Sequence, residues 1–312
     1  MKVALVSMMG NVGSTFNTQG GGYGLIQTKM IKSAFPSDFE IDVNPKPDTW
    51  SSYDIIYVCE GVNFVEGVFN VPGGPQEIHY EKMKAIAEYK GELAFSNVKF
   101  DFNKFNKRLK INATYPDVDS IPVAPTFMEH GMKSGKVVIG DSHALSVWKP
   151  GYSLDFTPGR TLHGFLKRNT PEKINKEWNE VVLYFANIDL RFHLMRQSNP
   201  VESTKELFNK YVDFAKSLNN ATIVNLLPVE HESRKIPGTG LYKGQPFFGT
   251  RQERMELRKI ANDIMNSSGL KTIQWPEEWI DEDGTKMLDI LEQKQSVHLR
   301  PKFYPYINEI TN

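Results

Sequence analysis

Val137-Val138-Ile139, followed directly by Gly140-Asp141-Ser142-His143, is the most informative stretch of this 312-residue chain. A short apolar run that ends in a turn signal predicts a buried parallel strand giving way to a helix. In α/β proteins the carboxyl end of a strand is where functional side chains are exposed. We therefore expect Ser142 to lie in this turn as a nucleophile, with Asp141 capping the turn or the helix start.

A serine hydroxyl is a poor nucleophile until a base removes its proton. Near neutral pH the side chain suited to that task is an imidazole within hydrogen-bond reach. The candidate is His298, in the segment His298-Leu299-Arg300-Pro301. Considered alone, Ser142 could be an ordinary serine in a turn, and His298 could be a histidine packed in the core. The catalytic hypothesis therefore depends on the presence of both residues.

Composition narrows the classes of protein to consider. Lys plus Arg and Asp plus Glu both number 37, so the formal net charge is zero and gives no long-range attraction to polyanions. The single cysteine, Cys59, excludes an internal disulfide and a thiol-rich metal site. The apolar N-terminus, Val3 to Val6, is too short for a signal peptide or a membrane span. We expect a soluble, cytoplasmic enzyme without a membrane partner.

The first part of the chain alternates strand-like and helix-like patterns, which predicts an α/β fold with a parallel sheet. The predicted elements are strand 3–6, helix 25–34, strand 55–59 and helix 76–89. An irregular stretch from Asn97 to Ser134 suggests a connection, and we place a domain boundary near residue 130. The expected organisation is a Rossmann-like recognition or acceptor-binding domain over 1–130 and a second α/β domain over 131–312.

Glycines follow the first strand, where a Rossmann-type domain turns its backbone toward a ligand. Gly10 and Gly13 form G-x-x-G, and the later cluster over 20–24 stands too far from the strand for a dinucleotide fingerprint. A mobile loop is the alternative. We therefore expect no nicotinamide, flavin or other cofactor.

The second domain shows the same alternation. The predicted elements are strands 136–140, 181–185, 222–226 and 272–275, and helices 171–179, 203–218 and 301–310. Ser203 with Glu206, and Thr250 with Glu253, match the capping-box pattern of a helix start. The histidines at 143, 163 and 193 lack zinc-site spacing, so we expect no metal.

Residues 136–312 resemble the SGNH, or GDSL-like, hydrolase superfamily, whose members fold as an α/β/α sandwich. Gly140-Asp141-Ser142 resembles the family's first motif, which carries the nucleophile. The segment from Gln295 to Pro301 resembles its last motif, Asp-x-x-His-Leu-x-Pro, which carries the histidine. The resemblance implies that Ser142 and His298 are catalytic. Gln295 stands where the family has the aspartate that orients the histidine, and Asp189 or Asp289 could supply that carboxylate instead.

The resemblance also implies oxyanion donors between these two motifs. Gly164 matches the backbone glycine after the family's second strand, and Ala186-Asn187-Ile188-Asp189 stands where the family has Gly-x-Asn-Asp. The sequence that follows resembles a bacterial branch in which the strand ends in Ile-Asp-x-Arg-x-His. Arg191 and His193 are therefore expected, with Asn187, to bind the oxyanion or the substrate.

Residues 1–100 resemble, less closely, the N-terminal half of GT-B glycosyltransferases such as phage DNA β-glucosyltransferases. The residues that carry the likeness are 1–6 with Gly10-Asn11, and 53–58 with Asn63-Phe64. Between residues 99 and 110, basic residues alternate with phenylalanines, a pattern that can grip phosphates and stack bases. A solvated connector with a buried aromatic stripe is the alternative, and the neutral net charge favours it over nucleic-acid binding.

These observations predict a serine esterase or acyltransferase acting on an acylated carbohydrate or a related small substrate. One alternative is a glycosyltransferase or a phage-type nucleic-acid base-modifying enzyme. Another is a non-catalytic recognition protein, because the third and last motifs depart from the family pattern.

Overall fold

The computed structural model describes residues 1–6, 19–58, 77–95, 134–232, 242–292 and 297–312. The chain forms two compact units, each built around its own parallel sheet. This confirms the α/β class with parallel sheets. The predicted boundary near residue 130 lies outside the described residues, as do Gly10, Gly13, Cys59 and the basic and aromatic stretch 99–110.

The first unit contains a four-stranded sheet in the order β2-β1-β3-β4, with every neighbouring pair parallel. Its described elements are β1 (Lys2–Val6), α1 (Gln19–Ala34), β2 (Glu40–Val43), β3 (Ile55–Val58), α2 (Glu77–Glu88) and β4 (Glu92–Phe95). Buried Val3, Leu5, Ile55 and Tyr57 pack against Ile31 of α1. The glycines from 20 to 24 belong to α1 instead of preceding it.

The second unit contains a five-stranded sheet in the order β6-β5-β7-β8-β9, again parallel throughout. Its strands are β5 (Lys136–Gly140), β6 (Ser153–Phe156), β7 (Glu180–Tyr184), β8 (Ala221–Val224) and β9 (Lys271–Ile273). Its described helices are α3 (Leu162–Arg168), α4 (Pro171–Glu177), α5 (Asn187–Phe192), α6 (Pro200–Lys216), α7 (Arg251–Asn266), α8 (Thr285–Ile290) and α9 (Ile307–Thr311).

Both faces of the central strands β5 and β7 are buried, which explains their continuous apolar runs. Val137, Ile139, Val181 and Leu183 point to the same face and join a core with side chains of α3, α6 and α7. Val138, Val182 and Tyr184 alternate with them and are also buried. The core therefore holds β5 and β7 rigidly beside each other.

The strand order creates a switch point at β5. The chain leaves β5 to form β6 on one side of it, and later adds β7 on the other. Crossovers that diverge in this way open a crevice at the carboxyl ends of the strands. Ser142 follows the end of β5 and therefore lies at this crevice.

Helix starts show which local predictions hold. Thr250 and Glu253 form a full capping box at the start of α7, as predicted. The box predicted at Ser203 and Glu206 is wrong, because α6 begins earlier and Asn199 is its N-cap. The predicted last helix is split into a 3-10 turn at Pro301–Phe303 and α9.

Candidate active site

The turn after β5 is shaped by a close approach between two strands. Gly140 pairs with Tyr184 of β7, and a Cβ on Gly140 would overlap the Tyr184 carbonyl oxygen. The Asp141 amide donates to that same oxygen at 3.2 Å. Only glycine lets the two backbones come this close, so Gly140 sets the position from which residue 142 leaves the sheet.

Asp141 caps the 3-10 helix that begins at Ser142, as the sequence predicted for a turn or cap residue. Its Oδ1 accepts the His143 amide at 2.8 Å. The carboxyl group is fully buried, so the turn is fixed from inside the protein.

Ser142 and His298 meet, although 156 positions separate them in the sequence. Nε2 of His298 lies 2.8 Å from Oγ of Ser142. That is the distance at which an imidazole takes a hydroxyl proton. The structure therefore brings together the two residues that the sequence singled out.

A carboxylate that the sequence analysis missed lies on the other side of the imidazole. Oε1 of Glu292 is 3.5 Å from Nδ1 of His298. An antiparallel bridge between Leu291 and Leu299 holds the two residues opposite each other, and the Glu292 amide donates to the His298 carbonyl at 2.9 Å. Ser142, His298 and Glu292 form a serine, histidine and carboxylate arrangement.

Of the three predicted sources of this carboxylate or its substitute, the structure describes two, Asp189 and Asp289. Gln295 lies outside the described residues. Asp289 is exposed on α8. Asp189 is buried, and its two oxygens accept the amides of Leu162 at 2.7 Å and His163 at 3.3 Å. The sequence did contain one signal, since Glu292 is the only acidic residue between Asp289 and His298.

The surroundings of His298 favour the neutral imidazole. Burial lowers the pKa of His298, and the neighbouring His143 lowers it further, while Glu292 and Asp141 act in the opposite direction. A histidine with a lowered pKa stays unprotonated, and so able to act as a base, to a lower pH than a free imidazole.

Asp189 stabilises the start of α3 instead of orienting the histidine. Burial raises the pKa of Asp189 to about 6, because its effect exceeds that of the two amide hydrogen bonds, which lower the pKa. Those bonds satisfy the first amides of α3, which have no partner within the helix. The carboxyl group therefore ties the segment after β6 to the segment after β7.

Three of the predicted oxyanion or substrate residues are already engaged within the protein. The Gly164 amide donates to Oγ1 of Thr161 at 3.0 Å, which leaves it no hydrogen for an oxyanion. Arg191 forms a buried ion pair with Glu230, at 3.1 and 3.3 Å, and its Nη1 donates to the Asn187 carbonyl. Nε2 of His193 lies 3.0 Å from the Tyr242 hydroxyl.

Asn187 differs from those three. It begins α5 just beyond the end of β7, and its side chain is buried. Nδ2 of Asn187 makes no hydrogen bond of good geometry within the described residues, although the side chain lies close enough to the buried Tyr184 hydroxyl to lower the pKa of that group. A buried amide that keeps its hydrogens unused is able to donate them to a ligand.

Ala186, just before Asn187, adopts a left-handed conformation with φ of 75°. This is the position at which the resembled motif has glycine. A non-glycine residue in this region costs about 1 kcal/mol, so Ala186 holds this backbone conformation at some expense in stability.

A groove of about 680 Å³ lies between α3 and α6. Most of its lining residues are polar, among them His163, Lys167, Asp189, His193 and Lys210. Thr161 and Asp189 belong to the segments that follow β6 and β7, so the groove begins at the carboxyl edge of the sheet where Ser142 lies. Ser142 and His298 themselves do not line it.

No protein-family model and no curated protein matches the chain. Among solved structures, the chain is similar to a GDSL-like lipase from Bacteroides thetaiotaomicron, with 18% identity and a TM-score of 0.34. The match covers 51% of this chain and 85% of the lipase. The likeness of residues 1–100 to GT-B glycosyltransferases finds no support in these comparisons. No helix in the described part of the chain is long and apolar enough to cross a membrane.

Proposed function

We propose that the protein is a serine esterase or acyltransferase whose nucleophile is Ser142. The observation that carries the proposal is the 2.8 Å distance between Oγ of Ser142 and Nε2 of His298. Glu292, behind Nδ1, supplies the charge that stabilises the imidazolium formed during the reaction.

The first half of the reaction acylates the serine. Nε2 of His298 takes the hydroxyl proton while Oγ attacks the ester carbonyl carbon, which forms a tetrahedral intermediate with a negatively charged oxygen. His298 then gives this proton to the departing alcohol oxygen as the ester bond breaks. The products are the alcohol and an acyl ester of Ser142.

The second half removes the acyl group by the same chemistry. His298 takes a proton from water, or from an acceptor hydroxyl group, and the resulting oxygen nucleophile attacks the acyl carbon. The proton returns to Oγ of Ser142 when the acyl ester breaks. Water as acceptor gives hydrolysis, and an alcohol gives acyl transfer.

The oxyanion needs hydrogen-bond donors that are fixed before the reaction begins. The side-chain amide of Asn187 fits this role, because it is buried, makes no hydrogen bond of good geometry within the described residues and follows β7, the strand paired with β5. A single such donor typically stabilises the transition state by about 3 kcal/mol. Arg191 has a different role in this proposal, because its pairing with Glu230 anchors the helix that carries Asn187.

The polar groove between α3 and α6 supports a hydrophilic substrate. Nine of its twelve lining residues carry hydrogen-bonding groups, and the other three are Leu166, Leu194 and Leu207. An acetylated or otherwise acylated carbohydrate fits such a lining.

Ester hydrolysis by the purified protein tests the proposal. We expect turnover of p-nitrophenyl acetate by the wild type, and a loss of about 10³-fold or more in Ser142→Ala. Ser198→Ala, which changes an exposed serine outside the site, is the matched control and should retain full activity. Equal turnover by Ser142→Ala and the wild type would remove Ser142 as the nucleophile.

A substrate series tests the class of ester. Acetylated sugars and short-chain esters should be cleaved with a higher kcat/KM than p-nitrophenyl esters of ten or more carbons, since nine of the twelve residues that line the groove can hydrogen-bond to sugar hydroxyls. A preference for the long-chain esters would contradict the carbohydrate assignment and leave the nucleophile assignment standing.

A further inference from the structure

A second histidine belongs to the site without occupying the position of the base. His143 is buried directly after the nucleophile, and its ring lies 4.9 Å from the ring of His298, centroid to centroid. Nδ1 of His143 is 2.9 Å from Oδ1 of Asp141, and its Nε2 is 3.1 Å from the carbonyl oxygen of Val297. Both ring nitrogens are thus engaged, and one of them contacts the residue that precedes His298.

These partners fix where hydrogens must be. A carbonyl oxygen can only accept, so Nε2 of His143 carries a hydrogen and donates it to Val297. An ionised Asp141 can only accept a hydrogen bond. If Nδ1 carried no hydrogen, two atoms that can only accept would face each other at 2.9 Å. A proton therefore lies between Nδ1 and Oδ1, and the pair as a whole is neutral.

Burial makes this shared proton necessary. Asp141 is fully buried, and its Oδ2 has no hydrogen-bond partner within the described residues. An isolated carboxylate in such a place is very costly, whereas a carboxylate that shares a proton with an imidazole is compensated. Among the described residues, the other rings in contact with His143 are those of Tyr184 and His298, and neither carries a carboxylate.

We propose that His143 is a positioning residue, which links the turn of the nucleophile to the segment of the base through its bond to the Val297 carbonyl. Asp141 orients the ring from one side, and Nε2 holds the backbone next to His298 on the other. The 2.8 Å approach of His298 to Ser142 then depends on His143. The kinetic consequences of this proposal rest on the proposed function. The hydrogen-bond geometry is independent of it.

Three substitutions separate the two bonds of His143. In His143→Gln the side-chain amide reaches the place of Nε2 and keeps a donor for Val297. In His143→Asn the amide reaches only the place of Nδ1, and His143→Phe keeps the ring without either bond. We expect His143→Gln to retain kcat within about fivefold, and the other two to lose about 30-fold or more with KM changed less than threefold.

The pH profile gives a readout that a merely structural role would not move. Because His143 lowers the pKa of His298, its replacement by Phe or Asn should move the acidic limb of kcat/KM to higher pH. Folded His143→Phe and His143→Asn proteins with the wild-type kcat and the wild-type pH profile would overturn the proposal. Equal losses of kcat in His143→Gln, His143→Asn and His143→Phe would overturn the assigned hydrogen bond to Val297.

Nitrogen-15 NMR of the wild-type imidazoles tests the geometry independently of activity. We expect His143 to show a hydrogen on Nε2 and a proton shared between Nδ1 and Asp141. A His143 ring without a hydrogen on Nε2 would overturn the proposal even if the variants do not fold. If no ester is ever turned over, this spectrum still decides the role of His143, so the two proposals fail separately.

Discussion

Glu292 and His298 face each other across an antiparallel bridge, with the amide of Glu292 donating to the carbonyl of His298 at 2.9 Å and the two side chains 3.5 Å apart. The backbone therefore positions the carboxylate behind the imidazole. The side chains are largely shielded, with exposed fractions of 13% for Glu292 and 21% for His298. Shielding strengthens the electrostatic effect of the carboxylate on the ring.

Replacing Glu292 by Gln should reduce kcat by roughly 10³-fold, because the amide cannot stabilise the imidazolium by charge. Glu292 raises the pKa of His298, so the change should also move the acidic limb of kcat/KM to lower pH, opposite to the shift expected for His143→Phe. A pH series of kcat/KM measures both effects. Asp289→Asn, at an exposed position on α8, is the control and should change neither quantity.

Ala186→Gly should stabilise the protein by about 1 kcal/mol, because glycine adopts a positive φ without strain. Chemical denaturation measures the change in the free energy of unfolding. The same substitution at Ala261, buried within α7, should instead destabilise the protein by about 1 kcal/mol or more. A destabilised Ala186→Gly protein would show that the left-handed conformation carries no cost.

Glu230→Gln should cost about 3 kcal/mol of stability, since it leaves the buried Arg191 guanidinium without its counter-ion. Denaturant unfolding at neutral pH checks this value. Glu202→Gln, in an exposed pair with Lys205, serves for comparison and should change stability by less than about 0.5 kcal/mol. Equal effects of the two substitutions would mean that the buried pair does not anchor α5.

Asp189 should give stability a characteristic dependence on pH. Its pKa rises from 3.8 to about 6 on folding, so its contribution is complete below the unfolded pKa and is lost as the pH rises through 6. The loss amounts to about 3 kcal/mol for a shift of this size. We therefore compare the free energy of unfolding of the wild type with that of Asp189→Asn. The difference between the two proteins should decrease as the pH rises from about 4 to 7. A difference independent of pH would contradict the raised pKa.

The sequence predicted the fold well where local patterns decide structure. Apolar runs identified β1, β3, β5 and β7, because strands buried on both faces need apolar side chains at every position. Short strands such as β2 (Glu40–Val43) and β6 (Ser153–Phe156) were missed, since each mixes acidic and apolar residues. Their pairing with β1 and β5 is a tertiary effect that composition does not display.

The site was predictable in part for the same reason. Ser142 and His298 stand in motifs whose residue types already imply chemistry, so the sequence could single them out. Glu292 lies six residues before His298, not three, and its position depends on the bridge between Leu291 and Leu299. Gly164 and Arg191 are residue types that can serve an oxyanion, but only the structure reveals their internal partners, Thr161 and Glu230.

Labelling with a serine-directed fluorophosphonate, followed by mass spectrometry of the digested protein, tests the central claim most directly. We predict a single adduct on Ser142 in the wild type, no adduct in Ser142→Ala, and labelling slowed by about 100-fold or more when His298 is replaced by Ala. An adduct on another residue, or unchanged labelling of Ser142→Ala, would contradict the assignment of Ser142 as the nucleophile, and an unchanged labelling rate in His298→Ala would contradict the claim that His298 activates it.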